Sequence, residues 1–175
     1  MGKRSNYPRI EKDKYATPFE AVKPLIGWIP PQARYVEPCA KGGELIASLN
    51  QFGHQCTWAS DIAPEAQGIE LLDALKLDQS HLAWADYIIT NPPWTRALLH
   101  PMIDHFRHLK PTWLLFDADW MHTKQAEPYA PYCAQVISVG RVKWIPGSKN
   151  TGKDNCCWYL FVDYPVLTEF TWRRG

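Results

Sequence analysis

Apolar and polar positions change period several times along the chain, and each change marks an element. In GGELIASLNQFG (42–53) apolar residues fall at 45, 46, 49 and 52 and Gly53 closes the run, which predicts a helix. TPFEAVKPLIGWI (17–29) predicts another, with Thr17 as N-cap, Pro18 at the first helical position and Glu20 three residues after the cap. A third covers TRALLHPMIDHFRHL (95–109) and is expected to break or kink near Pro101. Short apolar runs at 33–40, 55–62, 85–90 and 112–120 read as buried strands. At least one strand is expected within 129–145, and the last at 156–164. Residues 68–77 read as helical or mixed.

Strands alternating with helices predict right-handed crossovers and a largely parallel sheet. Two late strands with no long helix between them predict a final antiparallel pair. The expected fold class is α/β, an open, doubly wound sheet. Ligands of such sheets sit beyond the C-terminal ends of the strands. The residues to weigh are therefore those from Glu37, Asp61, Asn91 and Asp117 onward.

Composition narrows this picture. A chain of 175 residues, 46% hydrophobic and 21% charged, can bury a proper core as one domain. No run reaches the ~18 apolar residues of a membrane span, and the charged start MGKRSNYPRIEKDKY is no secretory signal. Gly2 and Ser5 miss the myristoylation spacing. Five cysteines without a C-x-x-C argue against a disulfide framework and against zinc, so a reducing, cytoplasmic setting is expected and no metal site.

Charge is uneven although the net value is +1. Residues 1–14 carry five Lys/Arg against two Asp/Glu, residues 15–120 seven against twelve, and residues 121–175 seven against four. An acidic middle suits a cationic small ligand, and basic ends suit a polyanion. A random surface pattern accounts for the same numbers equally well.

VEPCAKGGEL follows the first strand: a carboxylate, then small residues, then a helix start. Glycines there let a ligand approach the backbone. ASDI ends the second strand with Asp61, a carboxylate suited to a ribose diol. Either feature alone is weak, since such turns are usually only turns and such aspartates are often helix caps. DALKLD (73–78) adds Asp73, which in this company suits an adenine amino group.

DYIITNPPWTR (86–96) is the most specific stretch. Two adjacent prolines end the strand, because neither has an N–H for the ladder. Asn91 and the Pro92 carbonyl are hydrogen-bond acceptors on a stiff backbone, and Trp94 offers a flat face. Two acceptors suit an –NH2 on a flat ring that stacks on the tryptophan, and a nucleobase is such a ring. The lone pair of an aromatic amine is delocalised. Acceptors that draw its hydrogens aside favour a pyramidal, nucleophilic nitrogen, and positioning supplies most of the acceleration. Elsewhere in a protein, PPW would be a loop capped by a core tryptophan.

In this order, EPCAKGGEL, SDI, DALKLD and TNPPW resemble the S-adenosylmethionine-dependent amino-methyltransferases with a [DNS]-PP-[YFW] motif. The resemblance is closest to small adenine-N6 DNA methyltransferases of bacteriophages and prophages. It spans roughly residues 13–164, with DKYATP (13–18) similar to the family's N-terminal cofactor segment and 140–161 to its late strand–loop–strand. It implies the class I methyltransferase fold, Rossmann-like and mostly parallel. It also implies S-adenosyl-L-methionine as cofactor, lined by Tyr15, Thr17, Glu37, Pro38, Cys39, Gly43, Asp61, Ile62 and Asp73. Asn91, Pro92, Pro93 and Trp94 would hold the target amine. The family's first glycine in this turn is Lys41 here, which either reaches outward or weakens cofactor binding.

Other stretches carry less. GSKNTGKDN (147–155) resembles a loop over the target base, with Lys149 and Lys153 toward phosphates; a solvated hairpin explains it equally well. It is not a P-loop, because Asp154 follows Lys153 and no helix comes next. In DADWMH (117–122), Asp119, Trp120 and His122 are candidate substrate contacts, although a structural role suits Trp120 better. His100, Asp104 and His108 share a helical face that reads as solvated rather than metal-binding.

The expected function is methyl transfer to adenine N6 in DNA, with the base flipped from the duplex. RNA adenine, cytosine N4 and a protein glutamine amide present the same –NH2 chemistry. A binding protein without catalysis is the reading of another class, supported only by Lys41. Residues 1–14 are expected as a basic tail and 15–175 as one methyltransferase domain without a target-recognition domain. The expected partner is nucleic acid, DNA favoured over RNA, with a homodimer or second subunit as one source of sequence recognition.

Overall fold

The computed structural model describes residues 16–145, 147, 149 and 151–173. Eight strands form one sheet: β1 (Arg34–Glu37), β2 (Gln55–Asp61), β3 (Glu70–Leu71), β4 (Tyr87–Thr90), β5 (Thr112–Asp117), β6 (Cys133–Arg141), β7 (Asn155–Phe161) and β8 (Glu169–Thr171). Their order is β3-β2-β1-β4-β5-β7-β6-β8. The first five run parallel to one another, and β7 lies antiparallel between β5 and β6. β8 returns parallel to β6. This is the expected doubly wound sheet with its late antiparallel pair.

Both faces of the sheet are covered, which explains why its central strands are unbroken apolar runs. In β5, Leu114 and Phe116 point to one core and Trp113 and Leu115 to the other. β7 divides in the same way: Cys157, Tyr159 and Phe161 against Cys156 and Trp158. Helix α3 (Arg96–Leu109) covers the first face through Leu99, Met102, Ile103 and Phe106. The short α1 (Phe19–Val22), the 3₁₀ segment that continues it (Lys23–Trp28), and α2 (Glu44–Asn50) cover the second. The Trp158 indole donates to the Ala21 carbonyl at 2.8 Å and ties α1 to the centre of the sheet.

Four expectations need correction. Thr17 does not cap α1: Pro18 occupies that position, and no side chain caps the helix. α3 runs unbroken through Pro101. The carbonyl that loses its partner there is that of Ala97, an exposed residue. β8 lies beyond the strand expected to be last, while residues 68–77 take the mixed form, β3 followed by a 3₁₀ turn. β5 ends at Asp117 rather than 120, because the Asp117 carboxylate accepts from the Asp119 N–H at 3.0 Å and turns the chain into 3₁₀ geometry.

Candidate functional site

The chain runs outward from β1 to β3, then returns and starts again at β4 on the other side of β1. The ends of β1 and β4 are therefore neighbours where the winding reverses, the crevice in which such sheets bind ligands. Glu37 ends β1, Asp61 ends β2, and Asn91 follows β4.

The turn after β1 is clamped by backbone amides. Asp61 accepts from the Lys41 N–H at 2.9 Å through one oxygen and from the Ala63 N–H at 2.8 Å through the other. The Ala40 N–H donates to the Ser60 carbonyl at 2.9 Å and the Gly43 N–H to the Ala40 carbonyl at 2.7 Å. Gly43 has φ 86° at the mouth of α2, a conformation that favours glycine. Lys41 shares it at φ 48°. Its ammonium lies 3.9 Å from Glu65 and its carbonyl accepts from the Glu65 N–H, so the side chain reaches toward the loop after β2.

Glu37 differs from Asp61. It is 2% exposed, and its Oε2 has no hydrogen-bond partner. Burial, then the neighbouring Glu44 and Asp61 carboxylates, raise its pKa well above the ordinary carboxylate value. The Cys39 thiol is likewise pushed up by burial and by Asp61, with Glu37 and Asp73 adding to it. Three of the acids picked out in the sequence thus act on one small region. Asp73 is exposed and caps the 3₁₀ turn Ala74–Lys76 through the Leu75 N–H at 3.0 Å. Ile62 is exposed beside Asp61, while Pro38 is buried.

The corner after β4 is built by long-range contacts. The Asn91 amide donates to the Thr17 hydroxyl at 3.2 Å, across 74 positions of sequence. The Trp94 indole N–H is shared between Asn91 Oδ1 and the Leu115 carbonyl, both at 3.1 Å. An indole N–H only donates, so it decides which end of the amide is oxygen and leaves Oδ1 a second lone pair. Pro92 is buried; Pro93 and Trp94 are partly exposed. Trp94 packs against both cores, and Trp144 meets it edge-on at 5.6 Å between ring centres.

Sequence reasoning missed Thr17 as the partner of Asn91, the Leu115 carbonyl, and Trp144. Trp144 carried a signal, since an aromatic residue next to a glycine-rich loop deserved weighing. That loop folds back on it: the Gly152 N–H donates to the Val142 carbonyl at 2.7 Å, and a Cβ on Gly152 would lie 2.9 Å from the Trp144 ring. Lys149 and Lys153 are exposed on the same loop. Arg96 and Asp117 pair at 3.2 Å and join the NPPW loop to the end of β5.

Trp120 is 1% exposed and packs among Phe116, Tyr159 and Phe161, so it supports the site from the core rather than lining it. Its indole N–H donates to His100 Nε2 at 3.0 Å. That bond needs the unprotonated nitrogen, and burial together with Arg96 lowers the His100 pKa accordingly. Asp104 pairs with Arg107 at 2.9 Å, and His108 is exposed. Asp119 and His122 are exposed. Tyr15 and the basic tail lie outside the described residues.

No family model matches the chain. No curated protein matches it in sequence. Solved structures match it in shape. A candidate RNA methyltransferase from Pyrococcus horikoshii superposes with a TM-score of 0.68 at 14% identity, over 94% of each chain. A candidate hemolysin from Lactococcus lactis gives 0.58 at 8% identity, over 91% of this chain and 94% of that one. The methyltransferase subunit of a type I restriction-modification system from Streptococcus thermophilus gives 0.57 at 9% identity, over 91% of this chain and 47% of the subunit. The strand order, the antiparallel β7 and these superpositions identify the class I methyltransferase fold, a Rossmann-like doubly wound sheet.

Proposed function

We propose that the protein transfers a methyl group from S-adenosyl-L-methionine to the exocyclic N6 amine of adenine in DNA. The observation that carries this reading is the pairing of two features at one crevice. Glu37 supplies a buried carboxylate oxygen without a partner, and Asn91 supplies an amide oxygen oriented by Trp94. The orphaned acceptor suits the cationic head of the cofactor, and Gly43 leaves its backbone free of a Cβ. Glu37, Pro38, Cys39, Gly43, Asp61, Ile62 and Asp73 form the proposed cofactor lining, with Tyr15 at its N-terminal side by resemblance.

When bound, the cofactor supplies an electrophilic methyl on a sulfonium. The chain's own residues do the rest. Asn91 Oδ1 and the Pro92 carbonyl accept the two hydrogens of the target amine and turn its lone pair toward the methyl carbon. The bound cofactor would give up that methyl and leave as a neutral thioether. The methylated nitrogen would then release one proton to water, past the acceptors that already hold its hydrogens. Thr17 and Trp94 hold Asn91 in register throughout, and the Trp94 face receives the base. Lys149 and Lys153 bear on the nucleic-acid backbone.

RNA adenine is the second reading, favoured by the superposition of 0.68 with a protein described as a candidate RNA methyltransferase. One experiment tests both. Purified protein is given labelled cofactor with single-stranded DNA, duplex DNA, RNA or a glutamine-containing peptide, and each product is digested and resolved by mass spectrometry. Label in N6-methyldeoxyadenosine is expected. Label in N6-methyladenosine from RNA alone would select the second reading. Label only in N4-methylcytosine or in the peptide would overturn adenine as the target.

A further inference from the structure

We propose that the β8 edge of the sheet is a self-complementary surface, on which a second copy of this chain docks by antiparallel strand pairing centred on Thr171. β8 is the last strand of the sheet, and among the described residues no strand lies beyond it. An edge strand keeps outward N–H and C=O groups that another strand can satisfy. Natural edges are usually blunted by lysine, proline or inward charge. This one carries large apolar groups: Phe170 is 59% exposed, Trp172 67%, and nearby Leu167 90%.

The residues at this edge read as their own complement. A two-fold axis perpendicular to the strand, passing at Thr171, makes the pairing isologous. It sets Glu169 opposite Arg173 of the second copy, Phe170 opposite its Trp172, and Thr171 opposite its Thr171. Strand alternation puts the two ion pairs and the threonine pair on one face and both aromatic pairs on the other. Opposite charges, paired aromatics and paired threonines are the cross-strand contacts that stabilise antiparallel strands. A shift by one residue either sets Glu169 against Trp172 and loses the ion pairs, or sets it against Arg174 and puts Phe170 opposite Arg173, which breaks the aromatic pairs.

The arginine is held in place by its own sheet. Arg173 donates through Nη1 to the Val139 carbonyl at 2.8 Å. Gly140, at φ 88° beside an irregularity in β6, makes the room: a Cβ there would stand 2.9 Å from the guanidinium. One donor group holds the guanidinium against β6, and it has further N–H groups to offer a carboxylate. Glu169 is exposed.

Sedimentation equilibrium on the full chain tests this. The contact is small, so self-association is expected in the range of about 100 µM, as for interfaces below ~1,200 Å². Glu169→Arg alone and Arg173→Glu alone each set like charges opposite each other and should weaken it by roughly tenfold or more. An equimolar mixture of those two variants should recover association, because each copy then meets the opposite charge at both pairs. Phe170→Lys should abolish it. A wild-type chain that stays monomeric at that concentration overturns the proposal. So does a dimer indifferent to Glu169→Arg and Phe170→Lys, or a mixture no tighter than its components. If Arg173→Glu loses its circular dichroism, Glu169→Arg and Phe170→Lys decide alone, since both leave the Val139 contact in place.

Discussion

The two sides of the crevice are built by different means. On the β1–β2 side, Asp61 is clamped by the backbone N–H groups of Lys41 and Ala63, and the neighbouring Glu37 has an oxygen with no partner. On the β4–β5 side, the Asn91 amide is oriented by side chains, Thr17 from before α1 and Trp94, itself tied to β5. Backbone clamping is local and leaves one carboxylate under electrostatic tension. Side-chain clamping is remote and leaves a neutral acceptor in register. The first side is therefore tuned by charge and pH, and the second by packing and geometry.

The sharpest way to break the comparison is at Asn91. Asn91→Ala should keep the fold and lower methyl transfer by roughly 100-fold or more, the scale on which one preorganised polar group acts. Transfer rates under saturating cofactor check this, and activity near wild type would remove Asn91 from the proposed chemistry.

Glu37→Gln should divide the two sides by sign. Glu37 has a raised pKa in the fold, so between the ordinary carboxylate value and that raised value the folded chain binds more protons than the unfolded one. Stability then falls as pH rises through that window. Gln removes this slope and should leave the protein more stable at neutral pH, by roughly 1 kcal/mol or more. It should also weaken cofactor binding about tenfold, because an ionised Glu37 is what a cation would meet. Wild-type affinity should increase with pH over the same window, with proton release. Calorimetry in two buffers of different ionisation enthalpy reads both, and a binding step indifferent to pH would contradict the role given to Glu37.

Thr17→Val tests the remote clamp. It should reduce kcat about tenfold with little change in the KM for cofactor, and Thr17→Ser should restore it. A rise in cofactor KM instead would assign Thr17 to the other side. Trp94→Phe removes an indole N–H shared by two acceptors, with an expected stability loss of ~1–2 kcal/mol in chemical denaturation. Lys41→Gly should act least. It relieves a left-handed backbone at a non-glycine residue, about 1 kcal/mol, against an ion pair at 3.9 Å that is part-exposed and worth little.

The amphipathic and buried runs made most of the fold legible. α2, α3 and the strands at β1, β2, β4, β5 and β7 follow from apolar period, because each packs apolar side chains against a core. β3 and β8 escaped, being two and three residues long. A segment that short has no period to read, and it becomes a strand only because a neighbour supplies the ladder, as where the Leu72 N–H donates to the Asp61 carbonyl.

The site divides along the same line. Strand ends after hydrophobic runs are local features, so Glu37, Asp61 and Asn91 could be found from the chain itself. What each one does with its polar atoms depended on partners brought together by the sheet. Thr17 precedes Pro18 and a helix, and locally it is a cap; in the fold its hydroxyl meets Asn91 instead. Trp120 follows a strand end beside acidic residues, and the packing of α3 and β7 against β5 makes it core. Hydrogen-bonding capacity is written in the residue type, but the choice among competing partners depends on which groups the fold brings within about 3 Å.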